Sequence, residues 1–169
     1  LLSQMLVTMT DRGPDSAGIA IYGASLPGKT RITVQSADPA ADFAGLEAAL
    51  HDALQHEIAV SVKDTHAVIL LDATLAEEAR ATLASLRPGL RLMSSGETIE
   101  IYKETGLPRD VVSRFGIDAM GGTHGIGHTR MATESAVTTL GAHPFSTGAD
   151  QCLVHNGSLS NHNNLRRAL

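Results

Sequence analysis

The chain has 169 residues, of which 43% are hydrophobic and 3% aromatic, and a formal net charge of −5. That length and apolar content support one substantial core and exclude a disordered chain, while the acidic balance and the scarcity of aromatic platforms argue against nucleic acid as a partner. No apolar run reaches the roughly eighteen residues that a bilayer crossing needs, and the first residues lack a secretory signal, so a soluble, cytoplasmic protein with no membrane partner is expected.

Leu2, Met5, Leu6 and Met9 fall at helical spacing, and the pattern ends at the turn-formers around Gly13-Pro14-Asp15. Residues 17–22 read as a buried strand and 31–35 as an alternating one, and the turn-rich 23–29 between them predicts a hairpin. Phe43, Leu46, Leu50 and Leu54 then share one helical stripe, 66–72 is a short buried-strand run, and 75–86 is a second helix. Strands at 91–94 and 98–102 flank a turn at Ser95-Gly96, so 38–102 is expected to form a small α/β lobe inserted in the main fold. Pro108 opens a short helix over 108–115, ahead of the glycine-rich 121–127. Strands are predicted at 125–130 and 151–155, and a closing helix is expected after Ser160 or Asn161 as its cap.

The chemistry is concentrated in four local motifs: Arg12-Gly13-Pro14-Asp15-Ser16-Ala17-Gly18-Ile19, His128-Thr129-Arg130-Met131-Ala132-Thr133, Ala142-His143-Pro144-Phe145 and Val154-His155-Asn156-Gly157. An Asn side chain followed by a glycine N–H, as in Asn156-Gly157, can aim two donors at one developing oxyanion, and losing one such donor costs on the order of a hundredfold in rate. The plain alternative is a turn after a strand. Arg130 at a strand end can hold a carboxylate through a bidentate pair, against the alternative of an ordinary surface ion pair. Cys152 is the single cysteine, which excludes an intrachain disulfide and a multi-cysteine metal cage. Strand alternation puts Cys152 and His155 on opposite faces, so the thiol reads as a small core residue and not as a nucleophile with His155 as base.

In order and spacing, the four motifs together resemble the class II glutamine amidotransferases, N-terminal-nucleophile (Ntn) hydrolases that split glutamine. The likeness covers 1–22 and 122–169, and the general look of 10–22 and 127–167 is nearest the glutamate-synthase-like branch, which includes the amidotransferase subunits of N-methylglutamate synthase. It implies an α+β fold, a four-layer α/β/β/α Ntn-hydrolase sandwich of two antiparallel sheets. L-Glutamine would be the substrate, and a synthase domain or partner subunits would receive the ammonia. No metal or organic cofactor is implied for this half-reaction; flavin or iron–sulfur centres would belong to partners.

By the same resemblance Arg130 binds the substrate carboxylate, and Asn156 with Gly157 forms the oxyanion site. Arg12 and Asp15 line the pocket, where a tight turn closed by their own ion pair is the simpler alternative. His143 belongs to the pocket wall, or else is a structural histidine. In the family the first residue of the mature chain is the cysteine nucleophile, whereas residue 1 here is Leu, so the domain over 1–169 is expected to be incomplete at both ends.

Three other readings compete. A metal hydrolase would use His124, His128, His143, His155 or His162, but ligands four apart need a helix and the 121–128 stretch is strand-like. A nucleotide site on 122–127 has the wrong glycine order. A non-catalytic glutamine-binding or regulatory domain would keep the pocket without the nucleophile.

Overall fold

The computed structural model describes residues 1–132, 136–157 and 162–168. In chain order the elements are α1 (Leu2–Thr8), β1 (Ser16–Tyr22), β2 (Lys29–Gln35), α2 (Pro39–Asp42), α3 (Leu46–Leu54), β3 (Ala59–Lys63), β4 (His66–Asp72) and α4 (Ala76–Leu86). There follow β5 (Arg91–Gly96), β6 (Ile99–Thr105), α5 (Pro108–Phe115), β7 (His124–Arg130), β8 (Phe145–Gly148), β9 (Gln151–Leu153) and α6 (His162–Ala168). Pro39 and Pro108 each sit in the first turn of a helix, where a missing N–H costs nothing, and Gly116 ends α5 in the left-handed conformation that glycine adopts without strain.

Two antiparallel sheets carry the fold, one in the order β6-β1-β7 and the other in the order β3-β4-β2-β5, and β8 pairs with β9 in a short ribbon. The first sheet is covered by α1 and α5, where Ala17, Ile19 and Tyr102 meet Leu6, Val111, Val112 and Phe115. Gly125 and Gly127 let α1 lie directly on β7, because a Cβ at either would stand within 2.9 Å of a Leu2 or Leu6 methyl. The second sheet buries Ile32, Val34, Ala67, Ile69 and Leu71 under Leu46, Leu50, Ala79 and Leu83 of α3 and α4. A third cluster joins the layers, with Ala20, Tyr22, Ile99 and Ile101 packed on Met93 of β5. The result is the α+β sandwich of two antiparallel sheets with outer helices that the sequence leads one to expect.

The sheets are also tied together at the β5–β6 turn. Arg31 of β2 pairs with Glu100 of β6 at 3.3 Å, and the Asp150 carboxylate accepts from the N–H groups of Glu97, Thr98 and Ile99 and from the Thr98 hydroxyl. Asp150, at the tip of the β8–β9 ribbon, thereby fastens the ribbon to the turn where the chain passes from one sheet to the other.

The expected hairpin between 17–22 and 31–35 does not form. β1 pairs with β6 and β7, β2 pairs with β4 and β5, and the intervening turn-rich segment crosses between sheets. The expected turn at Ser95-Gly96 falls one step later, since Gly96 closes β5, and the strand expected over 151–155 stops at Leu153. Residues 38–102 supply strands to both sheets. The helix expected near the C-terminus is present as α6; its expected caps, Ser160 and Asn161, lie outside the described residues.

Candidate active site

The end of β7 is held from two sides. Pro14 bridges to Arg130, the Asp15 N–H donates to the Arg130 carbonyl at 3.0 Å, and the Asp15 carboxylate accepts from the Ala132 N–H at 2.7 Å. Gly13 lies so close behind β7 that a Cβ there would fall 2.4 Å from the Thr129 carbonyl carbon and 2.5 Å from the Arg130 nitrogen. The 13–15 turn thus sets where β7 stops, and with it where the half-buried Arg130 side chain begins. Arg12 stands exposed one residue before this turn. No Arg12–Asp15 ion pair forms among the described residues, so the turn is closed by main-chain bonds instead.

The 138–145 segment forms the facing wall. Its cis peptide lies at His143-Pro144, and the His143 ring sits 4.5 Å from the His128 ring and 4.5 Å from the Phe145 ring. Gly18 of β1 provides the space, since a Cβ there would fall 2.2 Å from the His143 carbonyl oxygen. Gly141 touches the other partner: a Cβ on it would be 3.4 Å from one terminal nitrogen of Arg130. Asp15, Arg130 and His143, from three separate motifs, therefore meet around one strand end.

The segment is anchored from below by Lys103 of β6, only 4% exposed. Its ammonium donates to the carbonyls of Ala142 at 2.7 Å, Pro144 at 3.1 Å and Leu140 at 3.4 Å, and lies 4.4 Å from the Phe145 ring centre. Glu104, the next residue and on the opposite face of β6, accepts from the Thr139 hydroxyl of the same segment.

Burial lowers the Lys103 pKa to about 8, which leaves the amine mostly charged at neutral pH. Burial, then the charges of His128, Lys103, Arg130 and His155, pushes His143 down to about 4. Burial and then Arg130 lower His128. Both imidazoles are neutral at pH 7, and the Nδ1 atoms of His128 and His143 are buried without a hydrogen-bond partner among the described residues. Lys103 and Arg130 thus bring positive charge, and the Asp15 carboxylate negative charge, to either side of two neutral imidazoles.

Asn156 and Gly157 follow β9 as exposed coil, with Gly157 at φ +149. Gly157 lies against the His155 ring, where a Cβ on it would stand 3.4 Å from Cε1, whereas the contacts that gather Asp15, Arg130 and His143 do not include Asn156 or Gly157. Cys152 packs partly buried against the Ala20–Ile101 core, and its sulfur accepts from the Tyr22 hydroxyl at 3.5 Å. His124 and His128 share a face of a strand, roughly 13 Å apart at strand rise, and each has its own ring partner, Tyr22 and His143. They cannot share a metal ion. A separate hollow of about 300 Å³ borders Arg31, Lys63, Glu100 and Tyr102; it lies on the other face of β6 from Lys103, and its Arg31, Glu100 and Tyr102 groups bond to one another.

Sequence reasoning missed two members of the site. His128 was recoverable, because strand alternation places it on the Arg130 face two residues earlier. Lys103 gave no signal, since its acceptors are main-chain carbonyls distant in sequence.

The chain is similar from end to end to a glutamine amidotransferase-like protein. That relative, GlxB of Rhizobium meliloti, is 66% identical over 169 residues, which is 100% of this chain and 56% of GlxB. The chain thus spans little more than half the length of the relative it matches. Isomerizing glutamine–fructose-6-phosphate aminotransferases match a shorter stretch. That of Streptococcus pyogenes is 39% identical over 71 residues, 41% of this chain and 12% of the enzyme. That of Pseudomonas putida is 35% identical over 81 residues, 48% of this chain and 13% of the enzyme. No family model matches the chain. Among the described residues, no helix is long and apolar enough to cross a membrane.

Proposed function

We propose that this chain is the glutamine-binding part of a glutamine amidotransferase, whose full-length form hydrolyses L-glutamine to L-glutamate and ammonia and delivers the ammonia to a synthase domain or partner subunit. One observation carries the reading: the motifs of Asp15, Arg130 and His143, far apart in sequence, meet at the end of β7 beside His128. The names of the relatives support the same substrate, and the resemblance favours a glutamate-synthase-like acceptor.

In this reading the Arg130 guanidinium grips the α-carboxylate of glutamine, and Asp15 holds the strand end that aims it. His128 and His143, neutral at pH 7, offer ring nitrogens as hydrogen-bond partners to the bound amino acid. Asn156 and the Gly157 N–H stabilise the oxyanion that forms when a cysteine thiol of the full-length protein attacks the side-chain amide. That attack forms a thioester and releases ammonia, and water then cleaves the thioester to glutamate. Residue Cys152 takes no part, being committed to the core beside Tyr22.

The test is glutaminase activity of the full-length protein carrying Arg130→Ala. Losing a bidentate charged contact raises KM for glutamine by about a hundredfold. Unchanged turnover and unchanged KM would remove Arg130 from the site and the reading with it.

A further inference from the structure

Lys103 is costly where it stands. A lysine that merely filled an edge-strand position would run its stem along the surface and leave the ammonium in water. Here the charged end is buried without a carboxylate partner among the described residues, and each of its three protons meets one main-chain carbonyl of a single segment, at Leu140, Ala142 and Pro144. The neighbouring Glu104 takes the Thr139 hydroxyl from the opposite face of the same strand. Strand β6 therefore clasps the 138–145 segment from both sides.

The clasped segment matters because of what its other atoms touch. Its His143 carbonyl rests on Gly18, its His143 ring on His128, and its Gly141 on the Arg130 guanidinium. A shift of the segment would move the wall against which Arg130 is aimed.

We infer that Lys103 is a positioning residue for substrate binding: by holding three carbonyls of the 138–145 segment, it sets the wall that orients Arg130 and His143. The inference rests on the glutamine-binding reading above and adds to it a residue that never touches the substrate.

The experiment compares wild-type full-length protein with Lys103→Met, which keeps the stem and removes the ammonium, and with Arg130→Ala. A loosened carboxylate grip weakens ground and transition states alike, so it appears in KM and not in kcat. Lys103→Met is expected to raise KM for glutamine about tenfold or more, with kcat within about threefold of wild type, misplacement near 1 Å being enough for effects of this size. Circular dichroism and melting curves establish whether the variant is folded. If Lys103→Met does not fold, Lys103→Gln, which keeps a neutral donor but cannot serve all three carbonyls, takes its place and is expected to raise KM about threefold, following the same geometric argument.

An unchanged KM in folded Lys103→Met, a fall in kcat alone, or an unchanged KM in Lys103→Gln where it stands in, overturns the inference. If Arg130→Ala still raises KM in that series, only the role of Lys103 is lost. Absence of glutamine turnover by the wild type takes down both.

Discussion

Replacing Asp150 by alanine removes the acceptor for four hydrogen bonds at once: Thr98 N and Oγ1 and Glu97 N at 2.8 Å each, and Ile99 N at 3.0 Å. A bond to a charged group contributes about 1.5–3 kcal/mol when buried, but this carboxylate is partly exposed and water replaces some of the loss, so about 3 kcal/mol in total is a fair figure. Alanine also tolerates the left-handed backbone there, φ 54, less well than aspartate, which adds about 1 kcal/mol. For a chain of this size the melting temperature should fall by roughly 8–16 °C. Asp150→Asn keeps one acceptor oxygen and the backbone tolerance, and should lose less than half as much. Thermal unfolding followed by circular dichroism measures both, and a fall of under about 2 °C for Asp150→Ala would refute the view that this carboxylate fastens the β5–β6 turn. The pH dependence adds a second check. Burial pushes the Asp150 pKa upward, yet the bonds from Thr98, Glu97 and Ile99 outweigh it and hold the carboxyl below its usual range. Its contribution is therefore complete at neutral pH and is lost as pH falls through and below about 3.9.

Two further outcomes follow from packing and burial. Gly13→Ala places a Cβ 2.4–2.5 Å from the Thr129–Arg130 main chain; overpacking of this kind costs about 1–3 kcal/mol, and the displaced Arg130 should raise KM for glutamine in the full-length protein, an effect that an unaltered KM would deny. His66 is fully buried among Tyr102 and Phe115, and burial, then Lys103, lowers its pKa to about 4. The unfolded chain takes up this proton first, below about 6.5, so stability is intact above that pH and drains away toward pH 4 by up to about 3 kcal/mol. Urea midpoints at pH 7.5 and 4.5 should converge in His66→Phe relative to wild type; an equal drop in both proteins would contradict it.

What the sequence disclosed and what it concealed divide along the range of the interactions. The stripe Phe43, Leu46, Leu50 and Leu54 and the run 66–72 were readable because helical and strand periodicity are local. All four stripe residues are buried in one cluster. The partnering of β1 was not readable, since alternation tells which face of a strand is apolar but not which strand lies beside it, and the turn-rich 23–29 resembles a hairpin loop whether or not it makes one. Strand β3 escaped notice because it lies at a sheet edge with little buried surface, and β8 because four residues carry no period. Within the site, Asp15, Arg130 and His143 sit in compact motifs of turn-formers and polar groups. Lys103 lies in the run Ile101-Tyr102-Lys103-Glu104, whose pattern alone predicts an exposed cation at a sheet edge.

The transfer of the chain from the second sheet to the first between β5 and β6 bears on the order of assembly during synthesis. Strands β2, β3, β4 and β5, together with α3 and α4, are all made before β6 leaves the ribosome, so the second sheet and its helical cover can consolidate while β1 still lacks both neighbours. The last strand to join β1 is β7, whose end carries Arg130. The strand end that bears Arg130 is thus among the last features the nascent polypeptide acquires, and lesions in 124–130 should spare the early-forming half while leaving β1 with an open edge that invites aggregation.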